Sequence, residues 1–459
     1  MLKSKVAMRK RELRFSVDKR PAFLFVAELV KGAFIRTFVA RVLAAGGALA
    51  LAVVIGRVAG GEAFGVFSFF NALLIGAAIL ARMGTDRALI RFSSHSSEGG
   101  SDQSLGFLKL AIKRTVAGSV LLSLALMALL LLPSGSAKGW FSSPEAIVWT
   151  ALTLVPFSLS IVLSGFLKGV FRPVAGTLQE NGLVSLLAAF ALGLYYLINN
   201  VFSLEDVFLW YGVSSWVVLL IGVVQVYRWK VVAHPSNFKL NRESVKPELK
   251  EGFFLASRHY FHMTLVVYLQ NFVAVMLLAF MLAPLELGAF KTAEKLTIGI
   301  VFVLVVVNTI YAPRFSRAYS NGDFSGLRKL FLKSLALGGG VALIPYLLTI
   351  FFPRQLMGFV GTEYADSASV LVVMATAQFV NVLFGPVATM LNMCGREAFV
   401  KAVLVSVSLL SFLIYPIGLI LGGTVGVALA YAIAVFIQNC LCGLKLKQVI
   451  FVDTLLKRS

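Results

Sequence analysis

Long uninterrupted apolar runs constrain this chain more than any other feature of its sequence. The runs 116–132 and 297–307 contain no charged residue, and their flanks are largely apolar as well. Inside a bilayer every backbone N–H and C=O group must be paired within the protein, so only helices and closed barrels can cross it. Barrel strands would appear as weaker alternating segments of about ten residues. The runs therefore predict an all-α integral membrane protein.

Twelve membrane spans account for these runs. Of the 459 residues, 59% are hydrophobic and 14% are charged, whereas about a quarter of the residues in a soluble domain are charged. A stretch of about 20 apolar residues is long enough to cross the hydrocarbon core. We place the spans at 35–56, 64–83, 109–132, 146–167, 178–198, 206–227, 254–281, 288–311, 332–352, 367–391, 400–420 and 425–446.

The distribution of basic residues tests this map. The chain has 42 Lys and Arg against 21 Asp and Glu, a net charge of +21. With a cytoplasmic N-terminus, 36 of the 42 fall on cytoplasmic segments, and only Arg57, Lys138 and Arg354 fall on the opposite face. This asymmetry follows the positive-inside rule. It predicts an even number of spans, two cytoplasmic termini and contact with anionic membrane lipids, and it requires no nucleic-acid partner.

The basic loop Arg228–Glu251 divides the spans into two sets of six. Span two opens with GEAFGVF from Gly61, and span eight opens with the similar LELGAF from Leu285. Six spans repeated in one orientation predict a parallel repeat about an axis along the membrane normal. The predicted units are a basic N-terminal segment 1–34, an N-lobe 35–227, a linker 228–253, a C-lobe 254–446 and a cytoplasmic tail 447–459.

The sequence has no signature of an enzyme or of a bound cofactor. Phosphate-loop, HExxH and GxSxG patterns are absent. His259 and His262 share a helix face, but two histidines alone are a weak metal signal. We therefore predict a transporter without a cofactor, a metal or a catalytic residue.

Polar residues inside the predicted spans form the candidate site. Such residues are costly in lipid and usually face the bundle interior or a water-filled cavity. Near a helix end, Arg can instead extend to the interface, an alternative that stays open for Arg36 and Arg258. Glu294 can pair with Lys291, which would leave Lys295 for a ligand. The candidates for a substrate-binding cavity are Arg36, Arg41, Arg258, His262, Gln270, Asn271, Lys291 and Lys295.

The sign of these charges indicates the kind of substrate. The unpaired candidates are Arg, Lys or His, whereas Asp and Glu are scarce in the span centres. A pump that moves protons or sodium normally needs a buried carboxylate. A cationic cavity suits an anionic ligand such as a phosphate or diphosphate group.

The order of short motifs across residues 35–445 resembles a known family. Each motif alone is apolar and unspecific, so their order and spacing carry the resemblance. They are Arg41-Val42-Leu43, Gly60–Phe67, Met83–Arg91, Leu287–Phe290, Ala293–Leu296, Ala312–Arg317, Gly361–Ala365, Asn392–Arg396 and Gly422–Ala428. The chain is similar to the polysaccharide-transporter (Wzx-type) flippases of the multidrug/oligosaccharidyl-lipid/polysaccharide (MOP) exporter superfamily.

The resemblance implies a V-shaped fold of two six-helix lobes around a cavity that opens to each side in turn. It implies a polyprenyl-diphosphate-linked oligosaccharide as substrate, such as an O-antigen, capsule or exopolysaccharide unit. This substrate would be flipped across the bacterial cytoplasmic (inner) membrane, with polysaccharide polymerase machinery as a partner. Many relatives carry an Asp-Arg pair near the middle of span seven, where this chain has Gln270-Asn271.

Other functions fit the sequence less well. A multidrug exporter of the same superfamily would use buried carboxylates, and a lipid II flippase would usually have two further spans. A membrane-embedded polymerase or ligase would need a large outward loop, whereas the longest ones here, 133–145 and 353–366, have 13 or 14 residues. A scaffold without transport would not explain Arg and Lys inside the spans.

Overall fold

The computed structural model describes residues 33–96, 101–128, 130, 143–233 and 247–456. Most of the basic N-terminal segment and half of the central linker therefore lie outside the described residues. Within these ranges the regular structure is helical, and no strand occurs. The predicted all-α fold class is confirmed.

The first half of the chain folds into eight described helices. Pro144 and Pro173 each open one of them, at a position where the missing N–H costs no hydrogen bond. The helices are α1 Ala33–Val58, α2 Gly61–Arg82, α3 Thr85–Ser96, α4 Ser101–Ala128, α5 Pro144–Gly169, α6 Pro173–Leu178, α7 Asn181–Asn199 and α8 Leu204–Ala233. The helix α1 packs against α7, and α5 packs against α4 and α8.

The second half also folds into eight described helices, with a 3₁₀ turn at Thr362–Ser367. They are α9 Pro247–Met281, α10 Pro284–Leu296, α11 Ile298–Ser320, α12 Phe324–Phe351, α13 Pro353–Val360, α14 Ala368–Phe384, α15 Val387–Met393 and α16 Glu397–Leu456. The helices α14 and α16 pack against each other, and α11 and α14 both pack against α12.

The helices agree with the span map. Ten segments of the described residues are long and apolar enough to cross a membrane. One of them, Glu397–Ile450, bends where Gly422 and Gly423 leave the helical conformation, so it carries the two predicted spans 400–420 and 425–446. The helix α9 covers predicted span seven. The chain is a multi-pass membrane protein.

The related openings of spans two and eight are the place where the two halves meet. A Cβ atom at Gly65 of α2 would lie 1.8 Å from the Pro284 carbonyl oxygen at the start of α10. The Tyr364 hydroxyl donates to the Gly61 carbonyl at 2.7 Å, and the Gly61 N–H donates to the Glu363 carboxylate at 2.9 Å. Small residues let membrane helices approach closely. The shared glycine motif thus allows contact between the halves.

The largest apolar cluster reinforces this contact. Ile55 and Phe64 of the first half belong to one buried cluster with Phe290, Met357 and Tyr364 of the second half. We call this end of the helix bundle the closed end. Burial of large side chains from both halves excludes water and lipid from the contact.

The opposite end of the bundle, which we call the basic end, contains Arg82, Lys168 and Arg258. The helix α9 lies here against α2 and α3. A Cβ atom at Gly84 would lie 2.3 Å from the Ser257 carbonyl oxygen, and the φ of Gly84 is 74°. A glycine therefore suits this position for two reasons, close approach and a left-handed backbone.

Candidate functional site

A cavity of about 600 Å³ opens at the basic end of the first half. Its walls come from α1, α2, α3, α5 and α7, with Thr264 of α9 as a contribution from the second half. We call it the N-cavity. Its charged lining residues are Arg82, Asp86, Arg87, Lys168 and Glu180. Three cations against two carboxylates leave the lining with a net positive charge.

Arg82 is the most buried of these charges, with 6% of the residue exposed. Its Nη1 donates to Asp86 Oδ2 at 3.1 Å, and its Nε donates to the Ala78 carbonyl at 2.8 Å. Met83 and Gly84 both adopt left-handed backbone, with φ of 47° and 74°, and this turn starts α3 with Asp86 beside Arg82. Since a buried charge must be paired and hydrogen-bonded, the turn satisfies Arg82.

The other two cations are more accessible to a ligand. Lys168 forms an ion pair with Glu180, and 23% and 48% of the two side chains are exposed. Such exposed pairs contribute little stability, so a phosphate can compete with Glu180. Arg87 is exposed and forms no ion pair with a described residue. The N-cavity therefore offers to an anion one guanidinium that has no ion pair with a described residue, and one exchangeable ammonium.

A second pocket of about 900 Å³ lies beside α9 at the basic end. Arg114 holds its guanidinium 5.2 Å from the centre of the Phe254 ring and donates to the Met83 sulfur at 3.1 Å. Arg258 and His262 also line this pocket and are exposed. We call it the basic-end pocket. Glu248 and Glu251 also line the pocket, so its two arginines are balanced by two carboxylates among the described residues. Charged heads beside apolar walls suit an amphipathic ligand, that is, one with a polar head and an apolar tail.

A third cavity, of about 270 Å³, lies within the second half between α9, α10, α11, α14 and α16. We call it the C-cavity. Among the described residues Glu294 is the one charged member of its lining, and it forms the predicted ion pair with Lys291. The other polar lining residues are uncharged: Gln378, Asn381, Ser411, Tyr415, Tyr431 and Gln438. Most of the hydrogen-bonding groups of the C-cavity are therefore neutral, unlike those of the N-cavity.

The residues predicted to bind substrate do not lie in one cavity of the structure. Arg258 and His262 share the basic-end pocket. Lys291 and Lys295 flank Glu294 on α10, and neither lines the C-cavity. The predicted Lys291–Glu294 pair is confirmed.

The two arginines of α1 lie on its surface. Arg36 and Arg41 are both exposed. Arg41 lies three residues before Ala44, which lines the N-cavity. Residues three apart share a helix face, so Arg41 lies towards the mouth of that cavity. Gln270 and Asn271 lie on α9, but their side chains are outside the described residues.

Sequence reasoning missed the residues that line the N-cavity and the C-cavity. Arg82, Arg87 and Lys168 were counted as ordinary basic residues of cytoplasmic segments, although the motif Met83–Arg91 pointed to the turn that places two of them. Gln378 and Asn381 carried a usable signal, because two amides three residues apart in an apolar span share a helix face.

The chain shares its fold with solved transporters of the MOP superfamily. An inward-facing multidrug resistance MATE family transporter of that superfamily superposes with a TM-score of 0.70 at 14% identity, covering 90% of this chain and 95% of the other. The chain belongs to the polysaccharide biosynthesis protein family, whose sequence profile matches residues 29–319. The MatE profile matches residues 260–417.

Two further solved structures have the same architecture, and one relative matches in sequence. The lipid II flippase MurJ in an inward closed conformation has a TM-score of 0.61 at 15% identity, with 90% of this chain and 87% of that chain covered. A MOP superfamily transporter from Pyrococcus furiosus also has a TM-score of 0.61, at 16% identity, with 92% and 95% covered. A probable low-salt glycan biosynthesis flippase, Agl15 of Haloferax volcanii, is 24% identical over 89% of this chain and 81% of its own length.

Proposed function

We propose that this protein is a flippase that moves a polyprenyl-diphosphate-linked oligosaccharide across the bacterial cytoplasmic membrane by alternating access. The observation that carries the proposal is the net cationic N-cavity inside a MOP fold. Family membership and the names of two relatives, a glycan biosynthesis flippase and a lipid II flippase, support the substrate class. Repeat units of O-antigen, capsule or exopolysaccharide are substrates of this kind.

The diphosphate would bind at the N-cavity. Arg87 is free of ion pairs among the described residues, and Lys168 can exchange Glu180 for a phosphate oxygen. A guanidinium forms parallel, charge-assisted hydrogen bonds with phosphate, which fixes its orientation as well as its position. Arg41 at the cavity mouth would add a further positive charge. Arg82 would act through Asp86, because that ion pair shapes the cavity floor.

The basic-end pocket would receive the lipid before the diphosphate enters the N-cavity. Arg114, Arg258 and His262 lie there with Glu248, Glu251 and apolar side chains such as Phe254, so the pocket would receive the lipid mainly through its apolar walls and its two arginines. The positive-inside rule places this end in the cytoplasm with both termini. The substrate would therefore enter from the leaflet where its sugars are assembled, and the closed end would have to separate for its release.

The experiment is a flipping assay in vesicles that contain the purified protein and a fluorescent polyprenyl diphosphate disaccharide. A membrane-impermeant reductant destroys the fluorophore in the outer leaflet and so reports exchange between leaflets. We expect the protein to raise the rate above that of empty vesicles. Arg87→Gln with Arg258→Gln should lower the rate about a hundredfold or more, because charge-assisted hydrogen bonds contribute about 1.5–3 kcal/mol each and about 1.4 kcal/mol corresponds to a factor of ten.

The matched control is Arg354→Gln, which removes an exposed arginine at the closed end. It should keep the wild-type rate. A rate no higher than in empty vesicles, or full activity in the Arg87/Arg258 double variant, would contradict the proposal. Uptake of a cationic dye by the same vesicles without lipid flipping would favour a multidrug exporter.

A further inference from the structure

We infer that the C-cavity binds an uncharged sugar ring of the transported lipid through a hydrogen-bonded network of amides and a tyrosine. The inference rests on the proposed flippase function and assigns a different part of the substrate to each half. The N-cavity would hold the diphosphate, and the C-cavity would hold a sugar.

The network joins four side chains from two helices. Asn439 Nδ2 donates to Asn381 Oδ1 at 2.9 Å, and Asn381 Nδ2 donates to Gln378 Oε1 at 3.1 Å. Gln378 Nε2 in turn donates to the Tyr431 hydroxyl. Each bond fixes the orientation of the next amide, so the remaining donors and acceptors have defined directions. Asn381, Gln378 and Tyr431 all line the cavity.

Such a lining matches the chemistry of sugar hydroxyls. A hydroxyl both donates and accepts, and the amides and phenols of this cavity do the same. Glu294 adds a carboxylate that accepts strong hydrogen bonds; 40% of its side chain is accessible although it lies within the bundle and lines the cavity. Phe290 and Tyr415 supply apolar ring surface for the C–H face of a sugar.

The size of the C-cavity sets the size of its ligand. Its volume of about 270 Å³ lies just below the range of about 300–1,000 Å³ for pockets that hold drug-sized ligands. One sugar ring is the appropriate scale, whereas an extended oligosaccharide would exceed it. The remaining sugars would lie outside the C-cavity.

The charges around the C-cavity disfavour a cation. Glu294 is the one acidic lining residue, and it already pairs with Lys291, with Lys295 next to it in sequence. The described residues contain no group of three or more His, Cys, Asp or Glu that could hold a metal ion. A cation would therefore meet no net negative charge, while a neutral hydroxylated ligand meets several oriented partners.

Saturation-transfer NMR on the purified protein tests binding separately from transport. The probes are methyl glucoside and methyl N-acetylglucosaminide, with methyl glucuronide as a charged comparison. We expect signal from at least one neutral glycoside, and we expect Gln378→Leu to abolish it. The matched control is Gln448→Leu, because Gln448 is an exposed glutamine on α16 outside the cavity.

The flipping assay with two lipids gives the second readout. Gln378→Leu should lower the flipping rate of the polyprenyl diphosphate disaccharide about tenfold, the factor for a loss of about 1.4 kcal/mol. It should change the flipping rate of bare polyprenyl diphosphate less than about twofold. Equal slowing of both lipids, or no neutral glycoside signal in the wild type, would overturn the inference. So would sodium-dependent thermal stabilisation that Gln378→Leu removes.

The two proposals can fail separately. Glycoside binding that depends on Gln378, in a protein that flips neither lipid, would reject the flippase function and keep the sugar site. Flipping of both lipids without glycoside binding would reject the sugar site and keep the flippase function.

Discussion

The N-cavity and the C-cavity differ in how their polar groups are placed along the helices. The charges of the N-cavity lie at helix ends, as Arg82 ends α2 and Lys168 lies in the last turn of α5. The polar groups of the C-cavity lie within helices, as Gln378 does in α14, and they are mostly neutral. Burial of a charge costs more than burial of an amide. The charged groups of the N-cavity therefore lie at helix ends, where Arg82 has an ion-pair partner and Arg87 is exposed, whereas amides and phenols form most of the polar lining of the C-cavity.

The largest expected effect tests the close contact between α2 and α10, which joins the half that contains the N-cavity to the half that contains the C-cavity. In Gly65→Leu the new Cβ atom would lie 1.8 Å from the Pro284 carbonyl oxygen, and that oxygen belongs to backbone. We expect a destabilisation above about 5 kcal/mol, which is exceptional for one substitution, and loss of flipping. Thermal unfolding in detergent measures the first effect and the vesicle assay the second.

Gly193→Leu is the matched control for this prediction. Gly193 also lies within a membrane helix, but a Cβ atom there would meet no atom within 4 Å. It should leave stability and flipping close to wild type. A Gly65→Leu protein with wild-type stability would show that the two halves do not need this close crossing.

The next effect concerns the ionic character of the N-cavity. Arg82→Gln would leave Asp86 without its partner at 3.1 Å, and removal of one partner from a buried pair costs about 3–5 kcal/mol. The double variant Arg82→Met, Asp86→Leu should regain most of the stability, because no unpaired charge remains. Its flipping rate should stay low, since the N-cavity has lost the Arg82–Asp86 ion pair from its lining. Recovery of both properties would show that the pair is structural only.

The smallest expected effect concerns a side-chain contact at the closed end, between Arg57 and Phe359. Arg57 Nε donates to the Phe359 carbonyl at 2.7 Å, and its guanidinium lies 4.6 Å from the Phe359 ring centre. Arg57 is exposed, so Arg57→Ala should cost less than about 1 kcal/mol of stability. Thermal unfolding is again the measurement. A loss as large as that of Gly65→Leu would mean that side-chain contacts, not backbone packing, join the halves.

Much of the fold was predictable because lipid restricts the backbone. The apolar runs predicted helices. The GEAFG and LELG motifs predicted a repeat, and only the structure shows that their glycines allow the contact between α2 and α10. Local breaks were harder to predict. The bend at Gly422 and Gly423 joins two predicted spans into one long element. The division of span eight at Thr297 was not predicted either.

The predicted anionic ligand stays a prediction, and the members of the predicted site are spread over several places in the structure. Arg258 and His262 do share a pocket. Arg82 and Arg87 were missed because a basic residue at a helix end looks the same in sequence whether it meets the cytoplasm or lines a cavity. Only the left-handed turn at Met83 and Gly84 distinguishes the two cases.

The sequence by itself determined that this protein is a helical membrane protein with a basic excess, because the lack of water in a bilayer leaves the backbone few choices. The tertiary structure decided which polar residues share a cavity. Helix spacing puts Gln378 and Asn381 on one face, but the packing of α14 against α16 brings Asn439 and Tyr431 to them. Such contacts depend on how helices pack, which no local pattern along one helix specifies.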